Sequence, residues 1–542
     1  WVLTLNNSLT PSNEVFNLPP VFNPSKKDTQ SKEQGDPTVS IDGKTMLLGD
    51  TGHYTIDLDA TQKDQAYKVW RLGLTDDFDD EYVSIDPSRI EITGDDGKDY
   101  TNAFNIQVRD GVAYAYAKTV DTEIPATGET VKGDPQPTDL KAYAGKSDKD
   151  HDPLKDPAID QSLLGQHYAV TLPYTVVKVT DGYVVKNTAV QIVNNVRKKT
   201  NTVSNPLKPI NPKKDVTVKV GGQSVDGRSV YLDSTFLYQL DSSILPADRA
   251  YQKIANWGIT DQLDPAYDKA TGQWAVYAAR DLYRGGEAIA KKGERIAGSG
   301  FDSSRLGGDM FTANIDPSTG LVDIQATQAY LDLVSADDAH EQGWRAYVQV
   351  TRVKVTDRHE NVFTEHVNGK DLTSNIVWTR TPDLTPGIKL EKWDRRSGWP
   401  KGDRDNSKDA LTVSGDTEIV FTITNTSKTD PDTKQGAWFK ASDLKLEDHT
   451  IVGDGEVKDL KYPDNWSTLV LKPGQSVEVT GTLTGFTKDR HTDRAKVTGT
   501  PLVECPVVDK DPFGDASGKP STGGEAGDGD GPRQVTVGNR TL

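Results

Sequence analysis

The segment Leu72-Gly73-Leu74-Thr75-Asp76 recurs, 185 residues further along the chain, as Trp257-Gly258-Ile259-Thr260-Asp261. Two other segments recur in the same order and at nearly the same offset: residues 41–44 return at 225–228, and residues 177–181 return at 353–357. Such self-similarity is typical of tandem structural repeats. The sequence therefore predicts two homologous domains, at about residues 23–208 and 209–384.

Apolar and polar residues alternate within the repeats, as in Val216-Thr217-Val218-Lys219-Val220. A period of two places alternate side chains on one face and is typical of half-buried β-strands. Turn-forming pairs such as Asp42-Gly43 separate these runs. One window with a helical pattern, at 326–341, is expected to be a crossover helix. The pattern predicts an all-β protein of tandem immunoglobulin-like β-sandwich domains.

The remaining segments differ from the two repeats. Residues 1–22 end in a motif that matches the end of the first repeat, so we expect them to be the last strand of a truncated upstream domain. Residues 385–508 predict a smaller immunoglobulin-like domain, and residues 509–542, rich in Gly and Asp, predict a disordered tail. The polar segment 121–160 is expected to be an exposed loop. The chain begins at Trp1 rather than Met, so we expect an internal fragment of a longer protein.

The composition excludes several classes of protein. The 542 residues include 63 Lys and Arg against 81 Asp and Glu, a net charge of −18. This balance argues against nucleic-acid binding and against docking on an anionic membrane. A single cysteine excludes an intrachain disulfide and Cys-based metal sites, and no stretch of about 18 apolar residues predicts a membrane span. Nucleotide fingerprints and grouped histidines are also missing, so we expect no enzyme beyond the single-turnover chemistry described below.

Each repeat carries a lysine, an aspartate and an asparagine whose strand parity predicts that they face the core. In the second repeat these are Lys214, Asp261 and Asn375, each two residues from an apolar neighbour. In the first repeat they are Lys27, Asp76 and Asn201. The residues two positions before and after Lys27 are not apolar. If the predicted strand register is off by one residue, Lys26 takes the place of Lys27, or Lys213 that of Lys214.

Burying a lone charge is costly. Because three polar side chains point into one core, we expect them to contact one another there. Burial lowers the pKa of a lysine and raises that of an aspartate. A neutral amine can then add to the asparagine carboxamide while the aspartate shuttles protons and ammonia leaves. We expect isopeptide bonds Lys27–Asn201 and Lys214–Asn375, with Asp76 as the proton shuttle of the first and Asp261 as that of the second. The alternative is a buried salt bridge beside a structural asparagine.

Three motifs resemble the C-terminal isopeptide-forming adherence domains of antigen I/II type Gram-positive cell-wall-anchored adhesins. They are the Asp-Gly-Lys/Arg turn, the Thr-Asp-x-x-Asp segment at 75–79 and 260–264, and the closing Thr/Ser-Asn-x-Val strand. The resemblance covers about residues 1–384. It implies paired antiparallel sheets of the isopeptide-adhesin type in an elongated rod, and the same Lys, Asp and Asn roles.

The resemblance also implies a cellular setting. The chain would be the stalk or adherence region of a surface adhesin, outside the cell on a Gram-positive wall, with its anchor beyond this fragment. It would be a monomeric rod without cofactors, and its partner would be a host glycoprotein or a partner bacterial surface protein. The alternative function is that of a shaft subunit in a sortase-assembled pilus.

Several weaker signals remain. In residues 385–508, Lys392 is a plausible amine, but Asp493 stands where the closing asparagine is expected, so we predict no crosslink there. The acidic run at 76–80 is interpreted as a solvated turn, with calcium binding as the alternative. Lys519-Pro520-Ser521-Thr522-Gly523 matches a sortase signal except at its leucine and is interpreted as a chance match. We expect core packing, rather than carbohydrate stacking, for Trp70, Trp257 and Trp344.

Overall fold

A computed structural model describes residues 20–514 and 533–534, except 33–35, 37, 64–67, 126, 135–137, 148, 153–155, 488–489 and 505. The chain divides into two compact units. The first contains the described residues up to Ile210 together with Leu245–Lys253 and Ser335–Glu341, and the second contains the rest. The predicted upstream strand at 1–22 lies almost wholly outside the described residues, as does Cys505.

Two long strands of the first unit, β3 (Thr51–Leu58) and β11 (Tyr168–Val176), bury every second side chain. Along β3 and β11 the buried residues include Tyr54, Ile56, Val170 and Leu172, so these strands form one wall of a core. The elements of this unit are β1 (Ser25–Gln30), β2 (Val39–Ser40), β3 (Thr51–Leu58), β4 (Leu72–Asp77), β5 (Val83–Ile85), β6 (Glu91–Gly94), β7 (Phe104–Arg109), β8 (Val112–Ala117), β9 (Thr122–Glu123), β10 (Thr130–Val131), α1 (Leu140–Gly145), β11 (Tyr168–Val176), β12 (Val184–Val193), β13 (Val196–Lys199) and β14 (Val203–Pro206).

Two antiparallel sheets enclose this core. One has the strand order β2-β1-β3-β11-β5 with β6 also on β11, and the other has β13-β12-β4-β8-β7 with β14 also on β12. The first and last long strands, β1 and β12, therefore lie in opposite sheets. A bond between them would clamp the two layers together. The predicted all-β class and immunoglobulin-like sandwich are confirmed.

Helix α1 corrects the prediction that 121–160 is only an exposed loop. Its Leu140 and Ala144 are buried against Tyr114 and Tyr116 of β8. The buried Arg71 donates to the carbonyls of Tyr143, Ala144 and Lys146, at 2.9, 3.1 and 2.8 Å. The last carbonyls of a helix lack hydrogen-bond partners within the helix, and a cation beside them also interacts favourably with the negative end of the helix dipole. The insertion is thus partly packed onto the sandwich.

The second unit repeats the sandwich and adds a smaller one. Its elements are β15 (Lys213–Thr217), β16 (Thr235–Asp241), β17 (Trp257–Gln262), β18 (Asp268–Ala278), β19 (Leu282–Arg284), β20 (Glu287–Ala290), β21 (Arg295–Gly298), β22 (Phe311–Ile315), β23 (Leu321–Ala326), α2 (Gln328–Ala336), β24 (Trp344–Arg352), β25 (Thr356–Asn361), β26 (Phe363–Val367), β27 (Lys370–Thr373) and β28 (Val377–Thr381). The main sheets run β15-β16-β24-β18-β21 and β22-β23-β17-β26-β27, with β25 and β28 paired separately. Helix α2 connects strands of the two main sheets and lies in the window where a crossover helix was expected.

The smaller sandwich follows without a break in the second unit. Its strands are β29 (Ile388–Asp394), β30 (Thr417–Asn425), β31 (Trp438–Lys440), β32 (Lys445–Val452), β33 (Glu456–Lys461), β34 (Val470–Leu471), β35 (Ser476–Thr484), β36 (Thr492–Thr498), β37 (Pro501–Val503) and β38 (Arg533–Gln534). They form sheets β29-β30-β35-β33, β34-β31-β37-β38 and β32-β36. Their core includes Phe421, Ile423, Phe439 and Val479.

The chain after the smaller sandwich docks back on the second sandwich, where a disordered tail was expected from 509. The carbonyl of Val507 accepts from the Thr235 amide at 2.7 Å, and Gln349 Nε2 donates to the carbonyl of Asp509 at 2.6 Å. The Phe513 side chain is 1% exposed and packs against Leu237, Ala275, Tyr277 and Tyr347. Residues 507–513 therefore form a strap on the outer face of the sheet.

The Phe513→Ala variant is expected to release this strap, because truncating a buried phenylalanine costs about 3–5 kcal/mol. Hydrogen–deuterium exchange checks this at the Thr235 amide, which should exchange much faster once Val507 no longer accepts its hydrogen bond. The control is Val508→Ala, since that side chain is 52% exposed. Unchanged protection of Thr235 in Phe513→Ala would show that Phe513 does not hold the strap.

Candidate functional site

The buried amine of the first sandwich belongs to Lys26. In β1 the side chains of Lys26, Asp28 and Gln30 are buried, whereas Lys27 points outward. The Lys27 side chain is 62% exposed and its Nζ pairs with Asp57 at 2.8 Å. Lys26 Nζ instead lies 2.5 Å from Asp76 Oδ2, with both side chains fully buried. The prediction that Lys27 faces the core is thus wrong, and in β1 it is Lys26 that faces the core.

The second sandwich has the same pair at the predicted positions. Lys214 Nζ contacts Asp261, and both side chains are buried. Each ammonium group lies over a tyrosine ring, 4.6 Å from the centroid of Tyr54 for Lys26 and 4.6 Å from that of Tyr238 for Lys214. The two sites are therefore built alike, with an amine and a carboxyl group buried between the sheets and the amine in contact with the face of a tyrosine ring.

Burial shifts the pKa values of Lys26, Lys214 and Asp261 in the direction that the crosslinking chemistry requires. Desolvation lowers the pKa of Lys26 and that of Lys214, although the neighbouring aspartates oppose the shift. Desolvation also raises the pKa of Asp261, against the attraction of Lys214. In the second sandwich the two changes together favour a neutral Lys214 amine beside a protonated Asp261 over an ion pair.

The predicted asparagines bind the lysine main chain. Asn201 Oδ1 accepts from the Lys26 amide at 2.8 Å, and its Nδ2 donates to the Lys26 carbonyl at 2.9 Å. Asn375 makes the same two bonds to Lys214, at 2.8 and 3.0 Å. These carboxamides tie the closing strand to the first strand, but the structure does not bring them to the aspartates.

A different asparagine stands beside each buried carboxyl group. Asn187 is 2% exposed and its Nδ2 lies 3.3 Å from Asp76 Oδ2. Its Oδ1 is buried and accepts no hydrogen bond from the described residues. In the second sandwich Asn361 is 6% exposed and lies near Asp261, where it acts to lower the pKa of that carboxyl group against the larger effect of burial. Its Nδ2 is buried and donates no hydrogen bond to the described residues.

Strand register shows that Asn187 and Asn361 are equivalent. Ala189 pairs with Asp76, and Phe363 pairs with Asp261. Each asparagine lies two residues before that partner and is buried as the partner is, Asn187 within β12 and Asn361 at the end of β25, just before β26. The two are 174 residues apart, the separation that also relates Asn201 to Asn375. The signal that could have identified them is an asparagine that occurs in both repeats at the same separation and at a strand position where the pattern places buried residues.

The smaller sandwich holds a related cluster with a second acid. Lys392 Nζ lies 2.8 Å from both oxygens of Asp448 and also contacts Asp493. Ala495 pairs with Asp448, so Asp493 occupies the place that Asn187 and Asn361 hold elsewhere. Burial raises the pKa of Asp448. Burial alone would raise the pKa of Asp493, but Lys392 and His491 outweigh it and lower that pKa. That this cluster forms no crosslink stays a prediction.

The first sandwich also buries a carboxyl group that titrates near neutrality. Desolvation raises the pKa of Asp28 to about 7, although Tyr174, which donates to it at 2.9 Å, favours the carboxylate. The unfolded value is near 3.8. Between these values the folded state binds the proton more tightly, so stability falls as pH rises through this window and levels off above it.

Urea unfolding at pH 5 and pH 8 tests this linkage. The first unit of the parent protein is expected to lose up to about 3 kcal/mol between these values, because stability falls by about 1.4 kcal/mol for each pH unit between pH 5 and the folded pKa of about 7 and levels off above it. Asp28→Asn removes the titrating group, and its stability should change markedly less over the same range. Equal pH dependence in the two proteins would show that Asp28 does not titrate there.

The structure shows the surroundings of several of the weaker sequence signals. In the acidic run at 76–80, Asp76 lies in the core and Asp79 accepts a hydrogen bond from the Tyr183 hydroxyl at 2.5 Å. The described residues contain no group of three His, Cys, Asp or Glu placed to hold a metal, and calcium binding is untested. Core packing is confirmed for the tryptophans, which are at most 4% exposed: Trp70, Trp257 and Trp344. Within the described part of the chain no helix is long and apolar enough to cross a membrane.

Comparison with known proteins gives matches over both repeats. Residues 24–207 match the cell surface antigen I/II C2 terminal domain, and residues 211–382 match the cell surface antigen C-terminus. The aggregation substance of Enterococcus faecalis is 30% identical over 391 residues, which are 70% of this chain and 26% of that protein. The chain thus spans about a quarter of the length of this curated relative.

Solved structures of similar domains come from two streptococci. The C-terminal domain of the Streptococcus pyogenes antigen I/II-family protein AspA is 23% identical, with a TM-score of 0.49, over 66% of this chain and 99% of that one. The C-terminal domain of the Streptococcus agalactiae antigen I/II polypeptide BspA is 19% identical, with a TM-score of 0.46, over 66% and 100%.

Tandem antiparallel sandwiches that match these families are cell-surface antigen domains. The two large sandwiches belong more specifically to the antigen I/II type, as the sequence motifs indicated. These families imply a location at the outer surface of the cell.

Proposed function

We propose that this chain is the adherence stalk of a Gram-positive surface adhesin and that each large sandwich closes itself with one isopeptide bond. The bonds join Lys26 to Asn187 and Lys214 to Asn361. The observation that carries the proposal is the buried lysine–aspartate pair with a carboxamide at the same register position in both repeats. In this proposal Lys26 takes the role that the sequence assigned to Lys27, and Asn187 and Asn361 take the roles that it assigned to Asn201 and Asn375.

The reaction needs no outside reactant. The neutral Lys26 Nζ attacks the side-chain carbonyl carbon of Asn187, while Asp76 donates a hydrogen bond to the carbonyl oxygen and accepts a proton from the nitrogen. The new bond from carbon to Nζ forms, the bond from carbon to Nδ2 breaks, and Asp76 passes the proton to the departing nitrogen. Ammonia leaves, and a secondary amide remains. Asp261 serves Lys214 and Asn361 in the same way.

The crosslinks suit a stalk that carries tension. Lys26 lies on β1 of one sheet and Asn187 on β12 of the other, so the bond joins the two layers. Covalent closure restricts the unfolded chain, and it replaces a disulfide that a chain with one cysteine cannot form. Attachment to a bacterial wall and adhesion to a host glycoprotein or a bacterial surface protein belong to the same proposal. The aggregation-substance relative supports a surface partner.

Intact-mass measurement of the full chain tests the crosslinks. The parent protein is expected to weigh less than its sequence by two molecules of ammonia. Asn187→Ala and Asn361→Ala should each restore one of them, because each removes an electrophile. Asn201→Ala and Asn375→Ala are the matched controls and should retain both losses, since those carboxamides bind only the main chain of the lysines. A parent mass equal to that of the sequence would exclude both bonds.

The pilus alternative makes a different prediction. A shaft subunit is joined to its neighbours through a covalent bond between chains, so surface extracts would contain this protein as a ladder of polymers. An adhesin stalk should be recovered as a single wall-linked chain.

A further inference from the structure

We propose that the ring of Tyr238 positions the Lys214 amine for its attack and that a buried ion pair holds this ring in place. The ion pair joins Asp268 to Arg352. The inference rests on the proposed crosslink between Lys214 and Asn361 and adds residues to its mechanism. The Tyr238 ring contacts the reacting nitrogen, since its centroid lies 4.6 Å from Lys214 Nζ. Asp268 and Arg352 are positioning residues that act through the tyrosine.

Tyr238 is held at its hydroxyl end. The residue is 1% exposed, and its hydroxyl donates to Asp268 Oδ2 at 2.5 Å. Arg352 donates to the same carboxylate from Nε at 2.6 Å and from Nη2 at 3.2 Å, and both charged side chains are fully buried. Arg352 also donates to the hydroxyls of Thr379 and Thr381, each at 2.7 Å. The phenol is thus tied to a carboxylate whose position is fixed from β18, β24 and β28.

Stability alone does not account for this ion pair. Asp268 pairs with Arg352 across two neighbouring strands. The offsets that relate the repeats, 185 and 176 residues, place Val83 and Val176 at these positions of the first sandwich, where they pair in the same way and are buried. Replacing a buried ion pair by packed apolar residues often leaves stability unchanged or raises it. Since the first sandwich folds around two valines here, the charges in the second have a use other than folding.

The first sandwich holds the ring over its own lysine with other residues. That ring belongs to Tyr54, which stacks on Tyr174 with the ring centroids 4.1 Å apart, and Tyr174 donates to Asp28 at 2.9 Å. Strand pairing makes Val350 and Val216 the counterparts of Tyr174 and Asp28 in the second sandwich. Both sandwiches therefore link this ring to a buried carboxyl group through a phenolic hydroxyl, but from positions that are not equivalent. Two different constructions with one result indicate that the reaction uses the fixed ring.

The fixed ring serves the reaction in two ways. An amine on a flexible side chain has many rotamers, and the rings of Tyr238 and Phe363, with centroids 4.6 and 5.6 Å from Nζ, limit them. A small misplacement of the reacting atoms slows a reaction strongly. Nζ also gains positive charge as it adds to the Asn361 carbonyl and keeps that charge until Asp261 accepts the proton. The negative face of an aromatic ring stabilises such a cation.

The rate at which the second bond forms tests this assignment. Full-length chain is recovered from inclusion bodies in urea, with a starting mass equal to that of its sequence, and is diluted into native buffer. Samples are quenched with acid at intervals and mapped by peptide mass, which counts the Lys214–Asn361 bond separately from the Lys26–Asn187 bond. The first bond is thus a control within every molecule. Tryptophan fluorescence follows folding in parallel and separates slow folding from slow chemistry.

The variants remove the ring and its anchor separately. Tyr238→Phe keeps the ring and loses the hydrogen bond, so it should slow the second bond several-fold. Tyr238→Leu also loses the ring and should slow the bond by at least about tenfold. The double variant Asp268→Val, Arg352→Val reproduces the valine pair of the first sandwich and should slow the bond as Tyr238→Phe does. Adding Tyr238→Phe to it should cause no further loss, because both changes remove the same hydrogen bond.

Glu365→Gln is the matched control. It alters another fully buried carboxyl group of this sandwich, which accepts from Ser243 and Trp257, and should leave the rate unchanged. An unchanged rate in Tyr238→Phe and in the double valine variant, additive effects of the two, equal slowing of the first bond, or slowing that folding accounts for would each overturn the assignment and leave the crosslink proposal intact. A parent chain that never forms the second bond would overturn both.

Discussion

The Asn361→Ala variant is expected to unfold its second sandwich about 10–20 °C below the parent protein. The Lys214–Asn361 bond closes a loop of 147 residues, the separation of the two positions. In the chain-entropy description, a crosslink over a loop of this length stabilises the folded state by about 5 kcal/mol. For a domain of this size each kcal/mol moves the unfolding midpoint by about 2–4 °C. Differential scanning calorimetry of variants whose mass has been checked measures the shift.

Asn375→Ala separates this effect from the loss of ordinary hydrogen bonds. It removes two bonds to the Lys214 main chain, each worth about 1 kcal/mol, and leaves the proposed crosslink in place. We therefore expect a shift of only a few degrees and an unchanged mass. If Asn375→Ala, rather than Asn361→Ala, restored the ammonia and produced the larger shift, then the original sequence-based assignment would be correct.

The sequence predicted the sandwich class and the second lysine because apolar neighbours fix the parity there. In β15 the core position of Val216 places Lys214 inside. In β1 the buried side chains are Lys26, Asp28 and Gln30, all polar, and the outward ones are polar too. No hydrophobic pattern distinguishes the two faces of β1. The register was therefore set by tertiary contacts with Tyr54 and Asp76, which the local sequence does not reveal.

The asparagines were missed for a different reason. Parity correctly placed Val203 and Val377 in the core, but it does not reveal which strand stands opposite the aspartate. That neighbour is fixed by the pairing of Asp76 with Ala189, between strands more than 100 residues apart. Periodicity identifies the face of a strand, whereas cross-strand register identifies the partner.

The strap shows a further limit of composition. Residues 509–542 contain a single aromatic side chain, that of Phe513, among Gly, Asp, Ser and Pro. Average composition predicts disorder for such a segment. One buried aromatic ring and a few main-chain hydrogen bonds suffice to order residues up to 513, since the receiving face of the second sandwich is already built.

The same register argument predicts that Asp493→Asn installs a crosslink in the smaller sandwich. Lys392 and Asp448 already form the amine–carboxyl pair, and position 493 lies two residues before the partner of Asp448, as Asn187 and Asn361 do in their sandwiches. The wild-type carboxylate holds Lys392 as an ion pair and offers no ammonia as a leaving group. Substitution removes one negative charge and supplies the carboxamide.

Asp493→Asn should weigh less than its sequence by one more molecule of ammonia than the parent protein does. Its bond would close 101 residues, so we expect a gain of about 5 kcal/mol and a clearly higher unfolding midpoint for this sandwich. The double variant Asp493→Asn, Asp448→Asn is the control, since without the proton shuttle the extra loss should not occur. A parent protein that has lost water would reveal a Lys392–Asp493 amide already present and contradict the ion-pair assignment. An Asp493→Asn variant that loses no additional ammonia would show that register and composition do not suffice for the reaction.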